Sequence, residues 1–381
     1  MTALIPEEPL RGEVFARTLL EWQAKAGRHT LPWQNTGDPY KVWLSEVMLQ
    51  QTQVATVLAY FERFLQAFPT VRDLAAAPSE QVMGLWAGLG YYSRARNLHA
   101  CAKAVVQHFG GEFPRAVKDL ASLPGIGEST AGAVASLAYG ERAAILDGNV
   151  KRVFCRYYGI EGYPEQTAVK RTLWGVAHEN VPAVEPGRYN QALMDLGATR
   201  CTPRKPQCEA CPLMASCQAL RQGKVGLLPE PKPKKARPVV QGVALVLRDS
   251  RGYALLNKRT EKGVWQDLWL PPILNGSFGG QADDARAVHA GFEALLASLG
   301  LGLQALPSVQ AIEQALQLPA LQHELTHRRM VFHVVQHQVH HPLEPCVDPA
   351  GVALPKVVHK MLESTQGSVP NQDVINFSQG G

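Results

Sequence analysis

The 381-residue chain lacks any long apolar run: no window approaches the ~18 uninterrupted apolar residues that a membrane-spanning helix requires. Its first residues, Met1-Thr2-Ala3-Leu4-Ile5-Pro6-Glu7-Glu8, have no basic stretch leading into an apolar one, so neither membrane insertion nor secretion is expected. Charge of either sign is in no great excess. With 38 Lys and Arg against 33 Asp and Glu, the formal balance is +5, compatible with nucleic-acid binding without establishing it. Cysteine is sparse and odd in number: of seven, four fall between Cys201 and Cys217, while Cys101, Cys155 and Cys346 are scattered. That distribution argues against a disulfide framework and for a metal site in a reducing compartment, the cytoplasm or a nucleoid within it. No heptad run is present, so a monomer is expected.

The length suits two or three domains, each burying its own core. Residues 14–26 carry Val14, Phe15, Leu19, Leu20 and Trp22 on one face of an amphipathic helix. Asp38-Pro39-Tyr40 opens a second helix, expected to run through Trp43 and Glu46 to Leu58, and others are expected over 60–67, 78–89, 93–109 and 117–123. Long periodic runs and short turns argue for an all-α domain over 1–225. Residues 226–238 hold Pro229, Pro231, Pro233 and Pro238, with Lys232, Lys234, Lys235 and Arg237 against Glu230, and read as an extended linker. Beyond it, strand-like 239–247 and 253–258, a helical 283–299 and a strand over 331–339 imply an α+β domain over 239–363. A Gln-, Ser-, Asn- and Gly-rich tail over 364–381 is expected to be disordered. The fold class expected is mainly α.

Three stretches carry chemistry. In Leu123-Pro124-Gly125-Ile126-Gly127-Glu128-Ser129-Thr130-Ala131-Gly132, two glycines just before a helix start allow a tight turn and leave bare N–H groups at a helix N-terminus. That is either a simple turn or an anion site, for which a nucleic-acid phosphate is the natural occupant. Glu46 is the only charged side chain between Lys41 and Glu62. On a solvated face it is inert; buried, it holds its proton near neutral pH and can act as a general acid. Asp147, before Gly148-Asn149-Val150, is a good helix N-cap whatever else it does. The spacing Cys201-x6-Cys208-x2-Cys211-x5-Cys217 suits zinc or an iron–sulfur cluster, and ligand type alone does not separate them.

Leu-Pro-Gly-Ile-Gly with its Ala131-Gly132 helix start, followed by Leu146-Asp147-Gly148-Asn149-Val150-Lys151-Arg152, resembles the helix-hairpin-helix and catalytic aspartate of the endonuclease III superfamily of DNA glycosylases. Leu44-Ser45-Glu46-Val47-Met48-Leu49-Gln50-Gln51-Thr52 resembles the segment carrying the catalytic glutamate of its adenine-specific, MutY-type branch, and the cysteine spacing resembles the superfamily's 4Fe–4S loop. The resemblance implies a base excision repair enzyme that hydrolyses the N-glycosidic bond of adenine opposite 8-oxoguanine or G in double-stranded DNA. By it, Glu46 protonates adenine N7 and later activates water, and Asp147 stabilises the cationic sugar, either by its charge or as a transient covalent nucleophile, with Asn149 hydrogen-bonded nearby. Ser129 stands where strand-cleaving members carry a Schiff-base lysine, so the enzyme is expected to be monofunctional.

Further residues follow from the same likeness. Gln51 and Tyr91 match intercalating positions used in base flipping, with core packing as the alternative for the tyrosine. Arg94 beside it is expected on a phosphate, and Lys151 is either structural or phosphate-facing. Trp33 and Gln191 match positions lining the adenine pocket. The second domain loosely resembles a Nudix-like domain, but 283–300 holds only Asp283, Asp284 and Glu293, too few for a metal-binding pyrophosphatase helix. It is expected instead to recognise 8-oxoguanine. Leu325-Thr326-His327 stands where bacterial relatives have Phe-Ser-His, keeping the hydroxyl and the histidine. Two alternatives stay open: a catalytically silent iron–sulfur DNA-binding module, and a mismatch glycosylase of different base specificity.

Overall fold

The computed structural model describes residues 8–233, 236–278, 280–325 and 327–364. Thr326 and the tail beyond Ser364 lie outside the described residues. The chain divides into two compact units, Met1–Leu85 with Ser93–Lys234, and Trp86–Tyr92 with Lys235–Gly381.

The first unit is helical: α1 (Gly12–Ala26), α2 (Pro39–Leu49), α3 (Val54–Ala67), α4 (Val71–Ala76), α5 (Ser79–Trp86), α6 (Ser93–Phe109), α7 (Val117–Ser122), α8 (Glu128–Tyr139), α9 (Gly148–Tyr158), α10 (Thr167–Asn180), α11 (Pro186–Thr199) and α12 (Gln218–Arg221). Local chemistry sets several of the starts. Asp38 Oδ1 accepts from Tyr40 N at 2.9 Å with Pro39 at the first helical position, and Thr70 and Asp73 form a reciprocal capping box on α4. Two expected helices end early. The one opened by Asp38 stops at Leu49 rather than Leu58, because Gln51 takes a left-handed conformation (φ 57°) and the chain restarts at Val54. The one expected to reach Leu89 stops at Trp86, where Gly88, Gly90 and Tyr91 all have positive φ.

Phe15 lies within 6.3 Å, ring to ring, of Phe154, Tyr157, Tyr158 and Tyr189, drawing α1, α9 and α11 together. Burying each such ring contributes about 1.5–3 kcal/mol. Where α8 crosses the segment before Asp147, a Cβ on Gly132 would stand 2.1 Å from Ala144 O, so the small-residue run of α8 is a steric requirement. Ser129 Oγ, at the start of α8, accepts the Leu146 N–H at 2.9 Å.

The second unit contains β1 (Val239–Arg248), β2 (Ala254–Leu255), β3 (Asn257–Lys258), β4 (Trp269–Leu270), β5 (Ile273–Asn275), α13 (Ala282–Ser298), α14 (Val309–Gln317), β6 (Leu321–Glu324), β7 (Arg329–Gln338), β8 (Cys346–Val347) and α15 (Lys356–Glu363). Its main sheet runs β6-β7-β1-β2-β8, with β5 also on β1, and β3 pairs with β4 separately. β1 and β7 are parallel, Val243 opposite His333, while the other pairs are antiparallel. Val243, Leu245 and Leu247 from β1 pack with Phe292 and Ile312 from α13 and α14 into a core of which the sequence signalled β1 and α13 but not α14.

Candidate active site

The first unit holds a cavity of about 620 Å³, within the roughly 300–1,000 Å³ usual for ligand pockets. Trp33, Glu46 and Gln191 all line it, so residues drawn from three distant stretches of sequence meet in one place. Trp33 is 7% exposed and packs edge-on against Phe61 at 5.2 Å between ring centroids. Glu46 projects from the middle of α2 among the buried side chains Val42, Trp43, Ser45 and Val47. Burial first, and the charge of Asp147 second, push its carboxyl up from 4.5 to about 7. It is therefore a group that both holds and releases a proton near neutral pH.

Asp147 is not itself part of the cavity lining; it is close enough to act on Glu46 through its charge. It is the N-cap of α9, Oδ1 accepting from Val150 N at 2.7 Å. Burial raises its pKa, while the Val150 N–H, Arg152 and Asn149 oppose the rise and favour the anion. Asn149 Nδ2 sits 3.4 Å from Asp147 Oδ2, and Asn149 Oδ1 accepts from Arg152 Nη2 at 2.9 Å. The carboxylate next to the cavity is thus the one supplied with donors, and the one facing the cavity is the one starved of them.

Ser129 supports the backbone immediately before Asp147 and is not turned on the cavity. Gly125 has φ +75° and its Cβ would meet Asn97 Cβ at 2.6 Å, so the hairpin turn requires glycine there; Gly127 has ordinary φ and open space, and serves as the exposed N-cap of α8. Gln51 and Tyr91 are exposed, both with φ in the left-handed region, at 57° and 50°. Such backbone costs of order 1–3 kcal/mol per residue and persists where the surroundings enforce it. His327 is exposed in the turn between β6 and β7.

Arg94 corrects an expectation. It is 8% exposed and donates through Nη1 to Val47 O (2.9 Å) and Met48 O (2.8 Å), and through Nη2 to Thr52 Oγ1 (3.1 Å). The guanidinium satisfies the orphan carbonyls at the C-terminal end of α2 and steadies the helix bearing Glu46, instead of facing a phosphate. Lys151 pairs with Glu165.

The four cysteines line one small pocket with Arg156, Arg200, Met214, Leu220 and Val225, and none is in a disulfide. Among the described residues no three His, Cys, Asp or Glu side chains form a single-ion site. Burial, with the neighbouring thiols, pushes Cys211 up to about 12, so four thiolates here need a compensating cation. Arg156, 3% exposed, donates to Thr202 O, Pro203 O and Leu228 O and lies 3.4 Å from Cys201 Sγ, while Arg152 Nε donates to Cys201 O at 2.7 Å. An all-sulfur donor set with guanidinium charge beside it fits an anionic iron–sulfur cluster.

Sequence reasoning missed two residues of the cavity wall region. Arg28 lines it, and Asp195, 0% exposed, accepts from Arg28 N (2.9 Å), Arg28 Nε (2.7 Å) and Gln191 Nε2 (2.9 Å). The available signals were the placing of Arg28 five residues before Trp33 and of Asp195 one helical turn after Gln191.

The fold and site define a helical repair glycosylase. Residues 44–179 match the HhH-GPD superfamily of base excision DNA repair proteins, and 201–217 match the iron–sulfur binding domain of endonuclease III, the stretch that binds a 4Fe–4S cluster. The adenine DNA glycosylase of Buchnera aphidicola subsp. Baizongia pistaciae is 41% identical over 260 residues, 68% of this chain and 73% of that protein. The human adenine DNA glycosylase is 48% identical over 214 residues, 54% of this chain and 39% of that one. Among solved structures, a thermostable thymine-DNA glycosylase superposes with a TM-score of 0.50 at 32% identity, covering 55% of this chain and 96% of its own. The chain belongs to the adenine DNA glycosylase family of the HhH-GPD superfamily. Among the described residues no helix is long and apolar enough to cross a membrane.

Proposed function

We propose that the chain excises adenine opposite 8-oxoguanine or G by hydrolysis of its N-glycosidic bond, after flipping the nucleotide into the cavity at Glu46, and leaves the abasic strand uncut. The observation that carries this reading is the pairing of a proton-holding Glu46 in the cavity wall with a donor-supported Asp147 acting on it. Loss of a base passes through an oxocarbenium-like sugar, so an acid at the leaving nitrogen and an anion by the sugar are the two groups the reaction needs. Glu46, near half-protonated at neutral pH, gives its proton to the base; the same carboxylate then takes a proton from the attacking water. Asp147, whose anion Val150 N–H, Asn149 and Arg152 favour against the burial that raises its pKa, stabilises the positive sugar in its ionised form.

Ser129 supports monofunctional action, since a hydroxyl has no amine nitrogen with which to form an imine, and its Oγ instead accepts from Leu146 N–H. The cluster's contribution when bound is to brace its loop as a structural element, hydrolysis requiring no electron transfer. Exposed Gln51 and Tyr91, on strained backbone, are the side chains suited to fill the gap left by the flipped nucleotide, and the bare N–H groups after Gly127 suit a phosphate. We assign residues 1–225 to the glycosylase domain, 226–238 to a linker and 239–363 to a Nudix-like domain that reads the 8-oxoguanine strand through Thr326 and His327. The lesion-reading assignment rests on the resemblance of the Leu325-Thr326-His327 turn and on the exposure of His327.

The test is incubation with duplexes carrying A opposite 8-oxoguanine, A opposite G, or T opposite G, analysed with and without alkali. Scission of the adenine strand only after alkali supports the proposal. Direct scission overturns the reading of Ser129, and excision of T alone overturns the base assignment.

A further inference from the structure

Asp195 is the most completely enclosed charged side chain near the cavity, and none of the steps above uses it. It sits on α11, four residues after Gln191, with no exposed surface. Its Oδ1 accepts from Gln191 Nε2 and Arg28 Nε, and its Oδ2 from the Arg28 backbone N–H, so three donors are spent on one carboxylate. An ionised carboxylate only accepts hydrogen bonds. The amide of Gln191 is therefore not free to flip: reversing it would set Oε1 against Asp195 Oδ1, acceptor against acceptor, in a buried site where that contact is costly. One Nε2 hydrogen is held by Asp195, which fixes the orientation of the amide, and Oε1 makes no hydrogen bond to any described residue while the side chain lines the cavity. Arg28, 26% exposed at its side chain, is likewise held by Nε and its backbone; it lines the cavity, and its Nη donors have no described partner.

We propose that Asp195 is a positioning residue for base selection: it fixes the hydrogen-bonding polarity of the cavity wall, so that Gln191 presents an acceptor and Arg28 presents donors to the base. A purine with an exocyclic amino donor beside a ring-nitrogen acceptor matches that pattern. A 6-oxopurine, such as hypoxanthine or guanine, turns an acceptor towards Gln191 Oε1 and is rejected, because two buried acceptors then face one another. Sequence distance conceals the device, since Arg28 and Asp195 lie 167 residues apart. This inference rests on the adenine reading proposed above.

The experiment compares single-turnover excision of adenine and of hypoxanthine opposite G by the full chain with its cluster loaded. In Asp195→Asn, the new side-chain amide can donate to Gln191 Oε1, which turns Nε2 to the cavity. The adenine-to-hypoxanthine rate ratio is expected to fall at least tenfold. In Asp195→Asn with Gln191→Ala, the ratio is expected to equal that of Gln191→Ala alone, because Asp195 acts through the amide. The paired change Asp195→Asn with Arg28→Gln leaves no uncompensated buried charge, and covers the case in which the single variant does not fold; its ratio is expected to lie below that of Arg28→Gln alone. Rates for both bases falling together, or a ratio within twofold of wild type, overturns the inference. Wild-type protein that leaves adenine untouched would instead sink the function proposed above.

Discussion

The strongest test of the site is the proton on Glu46. With its carboxyl pushed up to about 7, roughly half of the molecules hold the proton at pH 7, against roughly 0.3% for a carboxyl left at 4.5. Burial thus raises the supply of acid on the order of a hundredfold at working pH. Single-turnover excision of adenine should be nearly flat below pH 6 and should fall about tenfold per pH unit above 8. Glu46→Gln removes the acid, and its rate should drop by about 10²–10⁴ and lose that pH dependence. Stability moves the other way. A folded-state pKa above the unfolded value means that the native state binds the proton more tightly, so the stability it contributes is present below about 4.5 and is lost as pH rises through about 7. At pH 8 the displacement from 4.5 to about 7 corresponds to up to about 3 kcal/mol, so Glu46→Gln should melt several degrees above wild type at pH 8 and beside it at pH 4.5. A quench-flow or gel assay from pH 5.5 to 9, with melting curves at both ends, reads all of this. Flat wild-type rates across that range, or wild-type rates in Glu46→Gln, would refute the reasoning.

Asp147→Asn keeps a good N-cap, so its melting temperature should shift by no more than that of a change of about 1 kcal/mol, while excision falls at least a hundredfold; a parallel collapse of both would show that the residue is only a cap. Gly132→Ala forces a Cβ to 2.1 Å from Ala144 O and should cost more than about 3 kcal/mol, visible as loss of soluble protein or a large fall in denaturant midpoint. Arg94→Met strips donors from Val47 O and Met48 O; we expect a loss of about 2–4 kcal/mol, with the salt dependence of DNA binding unchanged because no phosphate contact is removed. Cys211→Ser should abolish the visible absorbance of the bound cluster, and iron content should fall with it.

Much of the site could be read from the chain alone because its signals are local. Capping at Asp38 and Asp147, the glycine turn at Gly125, the serine at 129 and the thiol spacing from Cys201 to Cys217 each need only a few neighbouring residues to state their chemistry. The β1 strand, α6 and α13 were likewise legible, α6 to the residue, from periodicity and turn residues. Other features had no local mark. Gln50-Gln51-Thr52-Gln53 carries no glycine or proline, so nothing in the stretch announces that α2 breaks there. Arg94 beside two tyrosines reads as a phosphate ligand until the end of α2, some 47 positions away, is found to claim it.

What the sequence by itself determined, then, was which residues could do chemistry and which local turns and caps would hold them, since torsional preference and capping act over three or four residues. Only the tertiary structure decided which of those groups face one cavity, that Glu46 holds its proton to about 7, and that Asp195 dictates the orientation of Gln191. Burial and charge are sums over atoms brought together from the whole chain, and no short window of sequence contains them.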